Sequence, residues 1–477
     1  MKQTKLYILT ISLLLGALLL TACSSDALPG DDSGIKEVSR TDSCYINLRI
    51  VNDVQAKTRG TDVGTAEENA IYDGILVILE GNGESSSTLK KAVIIDQLIN
   101  NPGFTTDKTI DIIQRLPIGT HPYPTTGKLY VMALLNTTKT GFSVKNDMLY
   151  LNGTSLSGYT RAQIQSSAIN SVGSTDQHVG LYMASKPKGE GSTPDQVALQ
   201  IYDPSWDPSN ECYLYDSKEA ISQSASINKK LILNVERAAA KVSVTNGIAT
   251  TLSNINLNGN NERHPQIHKM TWALNHYYTT SYAISGGSGG TLSPITFTNS
   301  DFTVYPQRSL CGDAIYIAEG SNTEVIVEVQ LKDASSMLMH ECFVFHPFFN
   351  DFTPNIHHYY DIYTSPEQYI NYLKVGLPPE NKNGFGLNGI DNAEIFKYAT
   401  ITTSEDGSVT FTLVNSNLTA EQQTKLAELA EWLGNHSKCF RDGKMYYTYT
   451  LGDIVRNNAY YLTLQNSSIS GIGRPTP

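Results

Sequence analysis

Short runs rich in apolar, β-branched and aromatic residues recur along this chain, at 45–51, 71–79, 128–135, 231–244, 323–331, 410–414 and 459–464. Gly, Asn and Asp, the residues that turns favour, separate these runs. In the first run Ile46, Leu48 and Ile50 fall on one face and Tyr45, Asn47 and Arg49 on the other, the pattern of a strand buried on one side. Short strands broken by turn residues, without regular intervening helices, predict a mainly β protein of antiparallel sandwiches rather than a parallel α/β sheet. One helix is expected over 419–433. There Thr419 and Gln422 have capping-box spacing, Leu426, Leu429 and Leu433 share a face that packs on a sheet, and Gly434 ends the segment. The Gly-rich stretch 285–291 reads as a linker: no Lys or helix follows to make a phosphate cradle. No internal repeat of fixed period is found.

The longest apolar run is of another kind. Lys2 and Lys5 precede a predominantly apolar stretch at 6–20, followed by Thr21-Ala22-Cys23. A run of about 15 residues falls short of the roughly 20 that span a bilayer, which favours a removable secretory leader over a membrane anchor. Leu20-Thr21-Ala22-Cys23 looks like a lipobox, with Cys23 acylated as the new first residue. The polar segment 24–36 would then be a flexible tether. About 440 residues remain, more than one hydrophobic core usually serves, so two domains or more are expected, with a break around 248–252.

Tyr occurs 27 times and Gly 36 times, a composition that suits strands and turns. Only 17% of residues are charged and the net charge is −11, so a basic nucleic-acid footprint is not expected. The cysteines are Cys23, Cys44, Cys212, Cys311, Cys342 and Cys439, with no C-x-x-C pair. A zinc ribbon or disulfide scaffold is therefore not expected, and the five beyond Cys23 are buried small hydrophobes or include one bridged pair. His340, Cys342 and His346 lie close in sequence, with His357 and His358 beyond. Alternate strand positions would need ligands from elsewhere to complete a metal site, and no metal or other cofactor is expected. Neither an H-E-x-x-H nor a Walker pattern is present and the carboxylates are scattered, so no acid/base pair can be named and the chain does not read as an enzyme. Trp206, Trp272, Tyr277 and Tyr278 could stack on sugars, but core packing is the favoured reading.

After the first strand comes the polar segment 57–62, in which the isolated Arg59, followed by Gly60, makes the kind of exposed loop that a protease cuts readily. Taken alone, Arg59 would be read as a solvated side chain.

The order of lipobox, first strand, Thr58-Arg59-Gly60 loop and the acidic pair Glu67 and Glu68 resembles the fimbrillin subunits of type V pili. Similar stretches recur at 129–136 (LYVMALLN), 235–244 (VERAAAKVSV) and 269–284 (KMTWALNHYYTTSYAI). The end of the chain, with GKMYYTY, VRNNAYYLTL and SISGIGRPTP in 443–477, is similar to the C-terminal domain of minor-fimbrium-like members. The likeness covers nearly the whole chain, and the stretches around Val235 and Val455 are its most specific parts.

The resemblance implies two transthyretin-like antiparallel β-sandwich domains, with a short helix in the second. It divides the chain into a signal peptide (1–22), a lipidated tether with a removable first strand (23–59), an N-terminal domain (60–248) and a C-terminal domain (249–477). It also implies cleavage between Arg59 and Gly60 by an arginine-specific protease. The lipidated strand carrying Ile46, Leu48 and Ile50 then leaves, and a strand from another pilin takes its place. Removing a strand exposes unpaired backbone groups beside apolar pockets, which a foreign strand can fill by β-augmentation. The implied route runs from outer-membrane lipoprotein precursor to cell-surface fimbrium, with other pilin subunits and a host or bacterial surface receptor as partners and no nucleic acid. Stalk members donate a C-terminal strand, and 465–477 does not fit that role: Ile469 and Ile472 are its sole large apolar residues, and Pro475 and Pro477 cannot donate to a ladder. A subunit that accepts a strand without offering one belongs at a tip. The alternatives are a pilus anchor, or a surface lipoprotein that binds a glycan or host ligand and never polymerises.

Overall fold

The structure is a computed structural model. It describes residues 43–52, 65–83, 86–99, 109–118, 128–170, 180–185, 196–197, 214–215, 217–223, 230–253, 255–289, 291–298, 302–305, 308–333, 335, 337–345, 361–377 and 383–465.

The alternating first run forms β1 (Cys44–Asn52), which lies inside a large sheet rather than at its edge. The other strands of that sheet are β2 (Gly74–Gly81), β3 (Thr88–Ile94), β4 (Thr109–Leu116), β5 (Lys128–Leu135), β6 (Met183–Ser185), β7 (Leu214–Tyr215) and β8 (Leu231–Arg237), together with the two-residue strand Gln196–Val197 beside β5. β4 runs antiparallel along one edge of β1 from Cys44 to Val51. On the other edge β7 pairs with Tyr45 and Ile46, and β8 continues in parallel from Leu48 to Asn52. Ile46, Leu48 and Ile50 enter an aliphatic core with Leu76, Ile78, Ile110, Ile112, Leu231 and Leu233. The opposite face of β2 and β5 packs a second core of Val77, Leu79, Tyr130 and Met132 under the segments around Leu149 and Ile164. β2 begins at Gly74, three residues later than the apolar run at 71–79 suggests. Gly74 fits tightly there, since a Cβ on it would meet Leu135 at 2.8 Å and Leu98 at 2.9 Å.

The run at 231–244, expected as one strand, is two. The chain leaves the first sheet at Ala238 and re-enters a different one as β9 (Ala239–Asn246). Nothing local forces this break: the neighbours of the two halves differ, and pairing decides where each strand ends. β9 lies between β11 (Ala314–Ala318) and the last described strand, β16 (Ala459–Leu464). Facing strands are β10 (Gln266–Asn275), β12 (Glu324–Lys332) and β15 (Lys444–Thr450). Trp272, Val242, Val244, Ile317, Val327 and Met445 share the core formed by these strands. Pairing is antiparallel in almost every described ladder. The exceptions are β1 with β8 and β9 with β16, so the first and last described strands each lie parallel to one half of the ribbon 231–246.

Between β13 (Glu341–Phe345) and β14 (Ser437–Arg441) the chain builds a further layer around α1 (Pro366–Gly376), a Thr-rich hairpin at 400–412 and α2 (Ala420–Asn435). Their shared core holds Tyr363, Tyr369, Leu373, Phe411, Leu426, Leu429 and Leu433. The capping box of Thr419 and Gln422 is formed, and the helix packs on the hairpin as its leucine face requires. Gly434 does not end α2, which continues to Asn435 with His436 as its cap. A Cβ at Gly434 would sit 2.7 Å from the carbonyl oxygen of Val409, so this glycine permits close packing. The 285–291 stretch is not a free linker either. Gln165 donates to the Ser285 carbonyl at 2.5 Å, and the Ser288 amide donates to Ser166 at 3.1 Å, docking the described part of the loop on the first half of the chain.

Candidate functional site

Three surfaces of β1 define the slot it occupies. Its inner face carries Ile46, Leu48 and Ile50, each no more than 1% exposed. Leu48 lies between Ile112 and Leu231, and Ile50 between Ile110 and Leu233. Burying aliphatic side chains of this kind contributes about 1.5–3 kcal/mol each, so the slot without β1 would be strongly apolar. Its two backbone edges are satisfied by β4 on one side and by β7 and β8 on the other. If β1 left, both rows of amides and carbonyls would lose their partners, a costly state unless water or another strand supplied them.

The outer face is divided along its length. Tyr45 and Ile113 pack against the pair Tyr215 and Ile221, which covers the start of the strand. Further along, Arg49 donates to both oxygens of Asp111, from Nε at 2.7 Å and from Nη2 at 2.9 Å. Lys230 approaches the same carboxylate at 2.5 Å. The Arg49 hydrogen bonds, helped by Lys230, hold Asp111 well below the usual carboxylate range against a smaller opposing effect of burial.

Just beyond β1, the described chain resumes at Thr65. The Thr65 amide donates to Glu68 Oε2 at 3.2 Å and the Glu68 amide to Thr65 Oγ1 at 3.3 Å, closing a reciprocal cap. From that turn Glu68 reaches inward, only 2% exposed, and accepts from Arg237 Nη1 at 2.9 Å, from Lys241 Nζ at 2.9 Å and from the Tyr316 hydroxyl. Arg237 closes β8 and Lys241 lies early in β9, so one carboxylate holds both sides of the crossing at Ala238. Arg237 Nε also donates to Asn457 Oδ1 at 2.9 Å, extending the network to the turn that leads into β16. Next to Asn457, Arg456 pairs with Glu319 and donates to the Tyr282 carbonyl at 3.0 Å. Asn52, the last residue of β1, donates to Asn69 at 2.9 Å.

Ile46, Leu48 and Ile50 therefore come together on one strand in one core, while Cys23, Arg59 and Gly60 lie outside the described residues. Asp111, Lys230, Glu68 and Arg237 were not singled out from sequence for these roles. The Thr65-x-x-Glu68 spacing was a readable capping signal, but the partners at 237, 241 and 316 are brought in by the fold.

The remaining candidates fall elsewhere. Trp272 is fully buried and donates from Nε1 to the Leu310 carbonyl at 3.0 Å, and Tyr277 is buried in the same core. Cys342 is buried beside Met339, and burial pushes the Cys439 thiol up to about 12. Cys311, Cys342 and Cys439 carry free thiols. Among the described residues no cluster of three or more His, Cys, Asp or Glu is placed to hold a metal ion.

No family model matches this chain, and no curated protein matches it. Among solved structures it is similar to a fimbrial assembly protein from Parabacteroides distasonis, at 13% identity and a TM-score of 0.32 over 61% of this chain and 84% of that one. A protein assigned to cell adhesion from the same organism gives 14% identity and a TM-score of 0.32 over 60% of this chain and 75% of that one. The tip fimbrial protein of Porphyromonas gingivalis, truncated at its C-terminus, gives 8% identity and a TM-score of 0.28 over 61% of this chain and 80% of that one. With TM-scores below 0.5, these likenesses do not assign a function.

Proposed function

We propose that the chain is an adhesive pilus subunit of the strand-exchange type, exported as a lipoprotein on Cys23 and matured by cleavage between Arg59 and Gly60. The observation that carries this reading is the position of β1. The strand closest in sequence to Arg59 is held on both edges inside the sheet, and it fills the apolar slot with Ile46, Leu48 and Ile50. It is joined to the rest of the chain through 53–64, the segment that carries Arg59. One cut there would detach β1 covalently while leaving every other strand continuous with the body. The vacated slot would be a template for β-augmentation by a neighbouring subunit.

A tip position is favoured by β16. That strand is engaged in the chain's own sheet, parallel to β9 from Lys241 to Asn246, and its preceding turn is pinned through Asn457 to Arg237. A strand held in this way is not on offer to a neighbour. The subunit would consist of two β-sandwich domains, with β9 in the second so that the division falls at the crossing at Ala238, and would reach the cell surface in the fimbrium, where other pilins and a surface receptor are its partners.

Replacing Arg59 with Ala tests the reading. The variant is expected to accumulate as uncut, membrane-bound lipoprotein and to be absent from fibres. Normal incorporation of uncut protein would show that β1 does not need to leave.

A further inference from the structure

The apolar pockets of the β1 slot cannot by themselves fix how an incoming strand lies. Positions 46, 48 and 50 are symmetric about Leu48, so a strand entered backwards would still place aliphatic side chains in them. Both edges of the slot are backbone, which any extended segment can pair. The outer face is asymmetric. Tyr45 lies under Tyr215 and Ile221 at one end, whereas Arg49 sits on the other side of the centre, held by both oxygens of Asp111. If the strand were reversed about Leu48, its cation would move to position 47, where Asn47 is 6% exposed, and Asp111 would lose its bidentate partner.

Asp111 lies on β4, directly opposite Arg49 in the ladder, and Lys230 stands immediately before β8 on the other flank. Both belong to the body that would remain after a cut at Arg59. Ile232, opposite Arg49 on β8, is exposed and adds no competing charge. With β1 gone, Asp111 would retain Lys230 but lose the planar guanidinium that engages its two oxygens, a contact Lys cannot reproduce.

We propose that Asp111 sets the direction and register of the exchanging strand by selecting one that carries a basic residue, arginine above all, one position beyond the central apolar residue. The partner is thereby specified in chemical terms. It is an extended segment of another subunit with aliphatic residues at alternate positions i, i+2 and i+4, a cation at i+3 on the opposite face, and a chain direction parallel to 231–235. This rests on the strand-exchange reading above, which it deepens by naming what the slot selects. A rim charge pair adds little affinity but acts on orientation and on the approach of the strand, so its effect is salt-dependent.

The test uses the full chain cut at Arg59, with the protease then inhibited, and three fluorescent peptides: the sequence of 43–52, the same with Arg49→Glu, and its reverse. The native peptide is expected to be captured about five-fold better than the Glu peptide and the reversed one in low salt. That preference should shrink in high salt and vanish in Asp111→Asn, whose folding is checked by its melting temperature. Equal capture of native and Glu peptides by the unsubstituted protein would overturn the selection by charge while leaving strand exchange standing. Capture of none, with the original β1 retained after cutting, would overturn the strand-exchange reading itself and the selection with it.

Discussion

Arg237 donates to Glu68 across 2.9 Å with 4% and 2% of the two side chains exposed, and through this contact the segment following Arg59 is fixed to the ribbon that links the two principal sheets. A buried pair of this kind is weak evidence of net stabilisation, but breaking it by removing one partner leaves an uncompensated charge in the interior.

Glu68→Ala is therefore expected to destabilise the protein by about 3–5 kcal/mol, because Arg237 and Lys241 would be left facing each other without their shared anion. Urea denaturation measures this directly. A loss under about 1 kcal/mol would mean that water reaches the site and that the network does not hold the crossing at Ala238.

The same carboxylate makes stability depend on pH. Burial alone would raise its pKa, but hydrogen bonds from Tyr316 and Lys241 and the charges of Lys241 and Arg237 outweigh that and leave it below its ordinary value of 4.5. A depressed folded pKa means that the stabilisation is complete above about pH 5 and is lost as pH falls through the folded value. Midpoints of thermal unfolding should fall on acidification, and fall less steeply in Glu68→Gln. Parallel slopes for the two proteins would show that Glu68 is not the group responsible.

Within the slot, position should decide the cost of substitution. Leu48→Ala, at a fully buried site between Ile112 and Leu231, is expected to cost about 2–5 kcal/mol in the uncut chain. Ile232→Ser, at a site 48% exposed, should stay within about 0.5 kcal/mol. Comparable losses at both would mean that β1 is not packed as described.

Gly434→Ala offers a test of α2. Helix propensity alone favours Ala by about 1 kcal/mol, yet the added methyl would press on the Val409 carbonyl at 2.7 Å. A net loss of about 1–2 kcal/mol is expected, and a gain in melting temperature would contradict the close contact.

What could be read in advance follows from how local each cause is. The alternation of Ile46, Leu48 and Ile50 and the box of Thr419 and Gln422 are written within a few residues, and β1 and α2 were legible from them. The Ser365 cap with Pro366 at the start of α1 was equally local and was a signal left unread. The crossing at Ala238 was not legible, because Glu236 to Val242 contains no breaker and the strand divides only where its neighbours change. Nor were the parallel pairings or the Glu68 network, whose partners at Arg237 and Tyr316 are 169 and 248 residues away. Gly434 looked like a stop because glycine ends helices often, whereas here the reason for it is a neighbouring strand.

The most direct measurement is the N-terminal sequence and intact mass of this protein in fibres sheared from cells, set against the same protein from the membrane fraction. Strand exchange requires the fibre form to begin at Gly60 and to lack 44–52. A fibre form that begins at acylated Cys23 and retains β1 would contradict it.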